Sequence, residues 1–143
     1  MRWLFSMSLM ALACSPQLLS GEDRDGPLAA AASHPAEVAL VDEGARGSVY
    51  RQTANSLRLY TYDLDGIGRS ACNGGCASAW PPLLAPADAR PVGEWMIVAR
   101  SDGRQQWAYR GQPVYMRFHD APDQPTGDGI DGKWHLIPYT KTQ

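Results

Sequence analysis

No block of like charge occurs anywhere in the chain. The formal charge is -2, with acids and bases interspersed. Without a basic stripe to follow a phosphate backbone, nucleic acid is not an expected partner. No glycine loop precedes a Lys-Ser/Thr pair, and Ser48, Ser70 and Ser78 lack a nucleophile-elbow setting, so neither phosphate-loop nor acyl-transfer chemistry is expected. The acidic stretch 119–132 does not follow the calcium pattern D-x-[DN]-x-[DN]-G-x5-E, and solvated turns are its expected form. Cysteine is scarce, at three residues. There is no second close pair to complete a structural zinc site, and Ala77 stands where c-type haem attachment through C-x-x-C-H would want histidine. With no catalytic motif, the sequence does not point to an enzyme.

An odd cysteine in an exported chain needs a role, and the leader supplies one. Met1 and Arg2 form a short positive region, Trp3 to Ala13 an apolar run, and Cys14 follows Ala11-Leu12-Ala13. The run is too short for a membrane-spanning helix. The expectation is a signal peptide over 1–13 and lipidation at Cys14, with a membrane reached through that lipid anchor. Ala11 stands where a lipobox usually has leucine, and an ordinary A-x-A cut would instead give a soluble secreted protein. In a Gram-negative host, Ser15 after the cysteine is compatible with sorting to the outer membrane, facing the periplasm.

Residues 14–36 are rich in Ala, Ser, Pro and Gly, have no apolar period, and read as a flexible tether. From residue 37 the pattern changes to short β-branched and aromatic runs broken by Gly, Asp-Gly and Pro. Roughly 100 residues remain for a single small domain. Candidate strands are 38–41, 47–52, 57–63, 94–100, 106–110, 113–118 and 133–138, with a hairpin turn at Ser101-Asp102-Gly103. A short helix is expected over Cys76 to Trp80, stopped by Pro81-Pro82.

Tyr60 and Tyr115 are 55 apart (115 minus 60), as are Asp65 and Asp120 (120 minus 65); Trp80 and Trp134 are 54 apart (134 minus 80). One weak internal repeat accounts for all three, and Val49-Tyr50-Arg51 matches Ala108-Tyr109-Arg110 ahead of it. The expected fold is mainly β: two pseudo-repeated antiparallel β-hairpin units, about 47–83 and 94–138, sharing one core, with the short helix after the cysteine pair.

Cys72 and Cys76 enclose three residues and, in an oxidising compartment, most simply form a disulfide; a redox-active dithiol is the rival reading. Tyr60 and Tyr62 share one face of a strand, and Asp65 follows in a turn. They form either an aromatic cover for the core edge or, with Tyr115 and Asp120, a binding surface rimmed by carboxylates. Met116, His119 and His135 carry the ligand types that suit copper or haem iron, against a default of surface histidines. No cofactor is expected in the leading reading.

Tyr60-Thr61-Tyr62-Asp63-Leu64-Asp65 fits Y-x-[FWY]-x-x-D in full. The likeness continues through Cys72, Cys76, Trp80-Pro81-Pro82-Leu83, Trp107-Ala108-Tyr109-Arg110-Gly111 and Gly127-Asp128-Gly129-Ile130-Asp131-Gly132-Lys133-Trp134. From about Val38 to Pro138 the chain resembles the bacterial predicted-lipoprotein family named for that motif, a secreted repeat of unknown function. In the second copy Arg117 replaces the middle aromatic. The resemblance implies export and lipid anchoring and carries no reaction or ligand. The leading expectation is a non-catalytic envelope lipoprotein, a binding or structural module for an envelope protein or small molecule. The alternative is a metal-, haem- or redox-handling accessory.

Overall fold

The computed structural model describes residues 31–137. Cys14, the leader, most of the tether and Pro138 lie outside the described residues. The fold is mainly β, built from small antiparallel sheets and one short helix.

β1 (Val38–Asp42) pairs with β2 (Ser48–Gln52), and β5 (Trp95–Ala99) pairs with β6 (Gln105–Tyr109). The two hairpins share one register: Val38 faces Gln52 and Asp42 faces Ser48, as Trp95 faces Tyr109 and Ala99 faces Gln105. Each residue of the second hairpin lies 57 after its counterpart (95 minus 38, 109 minus 52). Their turns close alike, through Glu43 N–H to Gly47 C=O at 2.9 Å and Arg100 N–H to Arg104 C=O at 2.9 Å. Gly103 takes φ 83°, the left-handed conformation that suits glycine in the expected Ser101-Asp102-Gly103 turn.

The chain then doubles back in each half. Arg51 bridges Arg58, and Ala108 faces Pro113 of β7 (Gln112–Pro113). The first connection has six residues (52–57) and the second four (109–112), so the offset falls from 57 to 55 (113 minus 58). Tyr50 therefore corresponds in register to Trp107, and Arg51 to Ala108. The sequence match of Val49-Tyr50-Arg51 with Ala108-Tyr109-Arg110, at an offset of 59 (109 minus 50), is displaced by two residues from this strand register.

Tyr60 and Tyr115 meet directly, exchanging backbone hydrogen bonds of 2.8 and 2.9 Å. Each half's final segment then docks on the other half. β8 (Trp134–Leu136) pairs with β3 (Tyr60–Tyr62), and Ile137 N–H donates to Leu59 C=O at 2.9 Å. Reciprocally, Pro82 bridges Tyr115, Leu83 N–H donates to Val114 C=O at 2.9 Å, and β4 (Leu84–Ala85) pairs with β6. β4 is the strand not foreseen; two residues behind a proline pair show no alternation. The expected strands 57–63 and 113–118 contract to Tyr60–Tyr62 and to Gln112–Pro113 with a bridge at Tyr115. The helix is α1 (Gly75–Ala79), close to where the sequence placed it.

The interior draws on both halves and comprises two clusters. One holds Val38, Tyr50, Leu59 and Leu83 with Trp95, Trp107, Val114, Met116 and Ile137. The other holds Tyr60, Cys72 and Trp80 with Tyr115 and Trp134.

Candidate functional site

The second cluster is where the motif residues gather. Tyr60 donates its hydroxyl to Asp120 at 2.6 Å, and Tyr115 donates its own to Asp65 at 2.7 Å. Each tyrosine thus holds the aspartate of the other half. The aspartates in turn close their own loops: Asp65 accepts from Ala71 N–H at 2.6 Å, Asp120 from Thr126 N–H at 3.1 Å and Thr126 Oγ1 at 2.6 Å. Both bonds reach six positions along the chain (71 minus 65, 126 minus 120).

Burial raises the pKa of Tyr60, and the hydrogen bond to Asp120 adds to the shift. Burial likewise pushes Tyr115 up to about 12; the Ser70 hydroxyl opposes that rise and the bond to Asp65 reinforces it. Asp65 is raised by burial, against the lowering effect of its bonds from Ala71 and Tyr115. Because Tyr115 spends its proton on Asp65, the Ser70 hydroxyl at 2.7 Å is its donor. Ser70 in turn accepts from Arg100 at 3.1 Å.

The pairs carry a stack of four side chains. Tyr62 lies on Trp134 at 4.2 Å, Trp134 lies on Trp80 at 3.8 Å with the planes 3° apart, and the Arg117 guanidinium sits 5.3 Å from the Trp80 ring. Position 117 is 55 after Tyr62, so the arginine covers Trp80 where the first half uses an aromatic ring to cover Trp134. A planar cation over the indole face replaces ring stacking with a cation–π contact. Its Nη1 also holds Thr126 C=O at 2.5 Å.

Cys72 and Cys76 are joined, with Cα atoms 5.2 Å apart. Cys72 is wholly buried in the cluster. Its counterpart 55 residues on is Gly127, where a Cβ would come within 2.6 Å of Trp80 and 2.8 Å of Tyr60. Gly127 N–H donates to the Tyr60 hydroxyl at 3.1 Å.

These placements change the reading of the candidate surface. Tyr60 and Tyr115 are both 0% exposed, so they are interior posts and not part of a contact face. Amphipathic tyrosine serves either setting, which is why the motif alone did not decide. Tyr62 is half-buried at the end of the stack, and Asp65 and Asp120 are partly covered. Met116 packs in the first core cluster, His119 sits on an exposed turn against Phe118, and His135 pairs with Asp63 at 2.8 Å. The three stand in three different settings. Among the described residues, no group of three or more His, Cys, Asp or Glu could hold a metal ion.

Two polar centres escaped notice in the sequence. Arg100 is buried and donates to Gln106 at 2.7 Å, Cys72 C=O at 2.9 Å and Asn73 at 3.2 Å, tying the second hairpin to the disulfide loop. Arg51 donates to Glu43 at 2.5 Å and to Pro122 C=O at 2.7 Å, and Arg58 reaches Glu43 at 3.4 Å. The available signal was an arginine inside a run of strand-forming residues, where a solvated charge is out of place.

No helix among the described residues is long and apolar enough to cross a membrane. Neither the curated proteins nor the solved structures yield a match to the chain. The family resemblance holds over the second half of the fold, for residues 96–137, from β5 to the end of the described chain, match the family described as a secreted repeat of unknown function.

Proposed function

We propose that the chain is an exported, lipid-anchored and non-catalytic module, held at the cell envelope through Cys14, whose folded part plays a binding or structural role. One observation carries this reading. The motif residues best suited to chemistry are spent on each other: both tyrosine hydroxyls bind the opposite half's aspartate at 2.6 and 2.7 Å from fully buried positions. What such bonding supports is a rigid carrier. Within and just before the loops it pins, Leu64, Ile67 and Phe118 are exposed, at 56%, 79% and 58%, and these are the contact points offered to an envelope partner.

Anchoring rests on Ala11-Leu12-Ala13-Cys14 and on the secreted character of the family. Radiolabelled fatty acid is expected to enter the wild-type chain and not Cys14→Ser; equal labelling would remove the anchor from the proposal. The non-catalytic reading is tested by metal analysis and absorption spectra of the purified protein. A stoichiometric chromophore lost on changing His119 or His135 would replace it with the metal-handling alternative.

A further inference from the structure

Four acids are half-buried among the described residues: Glu37, Glu43, Asp65 and Asp120. Glu43 is held by Arg51 and Arg58, and Asp65 and Asp120 each take a tyrosine hydroxyl and a loop N–H. Glu37 is the exception. Its carboxylate receives one bond, 3.1 Å from Trp107 Nε1 to Oε2, and pairs with no cation among the described residues, so Oε1 is left without a donor. A charge taken partly out of water is ordinarily paired. This one borders a depression of about 330 Å³ walled by Pro35, Pro86, Ala89, Val92 and Trp107. A second depression of about 270 Å³ shares Ala36 and Glu37 with the first and takes in Gln52, whose Oε1 is buried with no hydrogen-bond partner.

We propose that the hollow beside Glu37 binds a small organic cation of the primary-amine class. Its lining sets two carboxylates, Glu37 and Asp88, against one guanidinium, Arg90, an excess of one negative charge (two minus one). Neither Asp88 nor Arg90 is spent on an ion pair among the described residues. A divalent metal is a poor match, because it wants several oxygen or nitrogen ligands, and no such group of three or more gathers among the described residues. An alkylammonium is satisfied by less. One N–H meets the free Oε1 of Glu37 in a charge-assisted bond, and a second suits a neutral acceptor. Gln52 supplies that acceptor, since an unmet buried oxygen costs free energy that is recovered when its amide swings toward a donor. The carbon chain of the ligand then lies along Pro86, Ala89 and Val92, which selects an amine with an apolar body over a bare inorganic cation.

The inference rests on the binding half of the proposed role and not on the anchor, so fatty-acid labelling and amine binding fail separately. It is tested by titrating the full chain with n-hexylamine at about pH 7, where the amine is protonated as a lysine is. The readout is the indole N–H resonance of Trp107, whose acceptor is the carboxylate that the ligand engages. A saturable shift is expected, with n-hexanol, of the same length but uncharged, binding about tenfold more weakly. Glu37→Gln keeps an acceptor for Trp107 and is expected to lower the affinity for hexylamine about tenfold. Arg90→Gln removes an exposed cation from the rim and is expected to raise it about twofold. Unchanged resonances of the other indoles check that each variant keeps the fold. No saturable shift, equal affinity for hexylamine and hexanol, or wild-type binding by Glu37→Gln overturns the proposal.

Discussion

The pairing of Tyr60 with Asp120 and of Tyr115 with Asp65 makes each aspartate answer to the opposite half, and that gives single hydroxyls unusual leverage. Removing one leaves a partly covered carboxylate short of a donor. Bonds to charged groups typically contribute about 1.5–3 kcal/mol, so Tyr60→Phe and Tyr115→Phe are each expected to lose stability in that range by urea unfolding. Tyr60→Phe also strips the acceptor from Gly127 N–H, which places it at the upper end. A Tyr60→Phe, Asp120→Asn cycle should then show coupling, since the two act through one bond. The same burial sets an alkaline limit. Tyr115 and Tyr109 are each pushed up to about 12, with burial the leading cause, and Tyr60 is raised too. As pH rises from about 10 the unfolded chain ionises first. The unfolded state then binds fewer protons than the native one, so stability is intact below pH 10 and falls toward pH 12. Unfolding midpoints measured across that interval should drop steeply in the wild type and less steeply in Tyr115→Phe.

At the level of elements, the stack and the disulfide divide the work of joining the halves. Trp134 lies between Tyr62 and Trp80, so Trp134→Ala removes both contacts at once and is expected to cost about 3–5 kcal/mol. It should also abolish the exciton signal of two parallel indoles in circular dichroism. Arg117→Ala, at the outer end, should cost only about 0.5–1 kcal/mol. Reduction of Cys72–Cys76 opens a loop of three residues, and in the chain-entropy model the loss is about 2 kcal/mol, read as a shift in the urea midpoint with and without reductant. Much of this scale was legible beforehand. Ser101-Asp102-Gly103 marked its turn, and Gly74-Gly75 between cysteines marked a bridged loop before a helix, because both signals are local. The stack was not legible. Tyr62 and Trp134 are 72 residues apart (134 minus 62), and nothing in either neighbourhood announces the other. The displaced match of Tyr50 to Tyr109 is similar: identical residues suggested an equivalence that the pairing of the two hairpins overruled.

For the molecule as a whole, the exchange of final segments settles how the halves depend on one another. β3 is completed by β8, and β6 is completed by β4, so each half would keep an open sheet edge without the other. The first core cluster likewise takes Val38, Tyr50 and Leu59 from one half and Trp95, Trp107 and Val114 from the other. A chain ending near residue 90 would keep its first hairpin and its disulfide, yet lose Trp134 over Trp80, the Tyr115 hydroxyl on Asp65 and the cover over Leu59. An isolated hairpin with a small apolar face is marginal in water. Such a fragment is therefore expected to show no cooperative urea transition and no dispersed amide spectrum. The intact chain should unfold in one step, with far- and near-UV signals coincident. Mixing the fragment with a separately produced 91–143 chain should restore dispersion, because the interfaces that define each half lie on its partner. A first fragment that folds alone with a cooperative transition would mean that the exchanged strands decorate two self-sufficient units, and that the tyrosine–aspartate pairs hold together what was already stable.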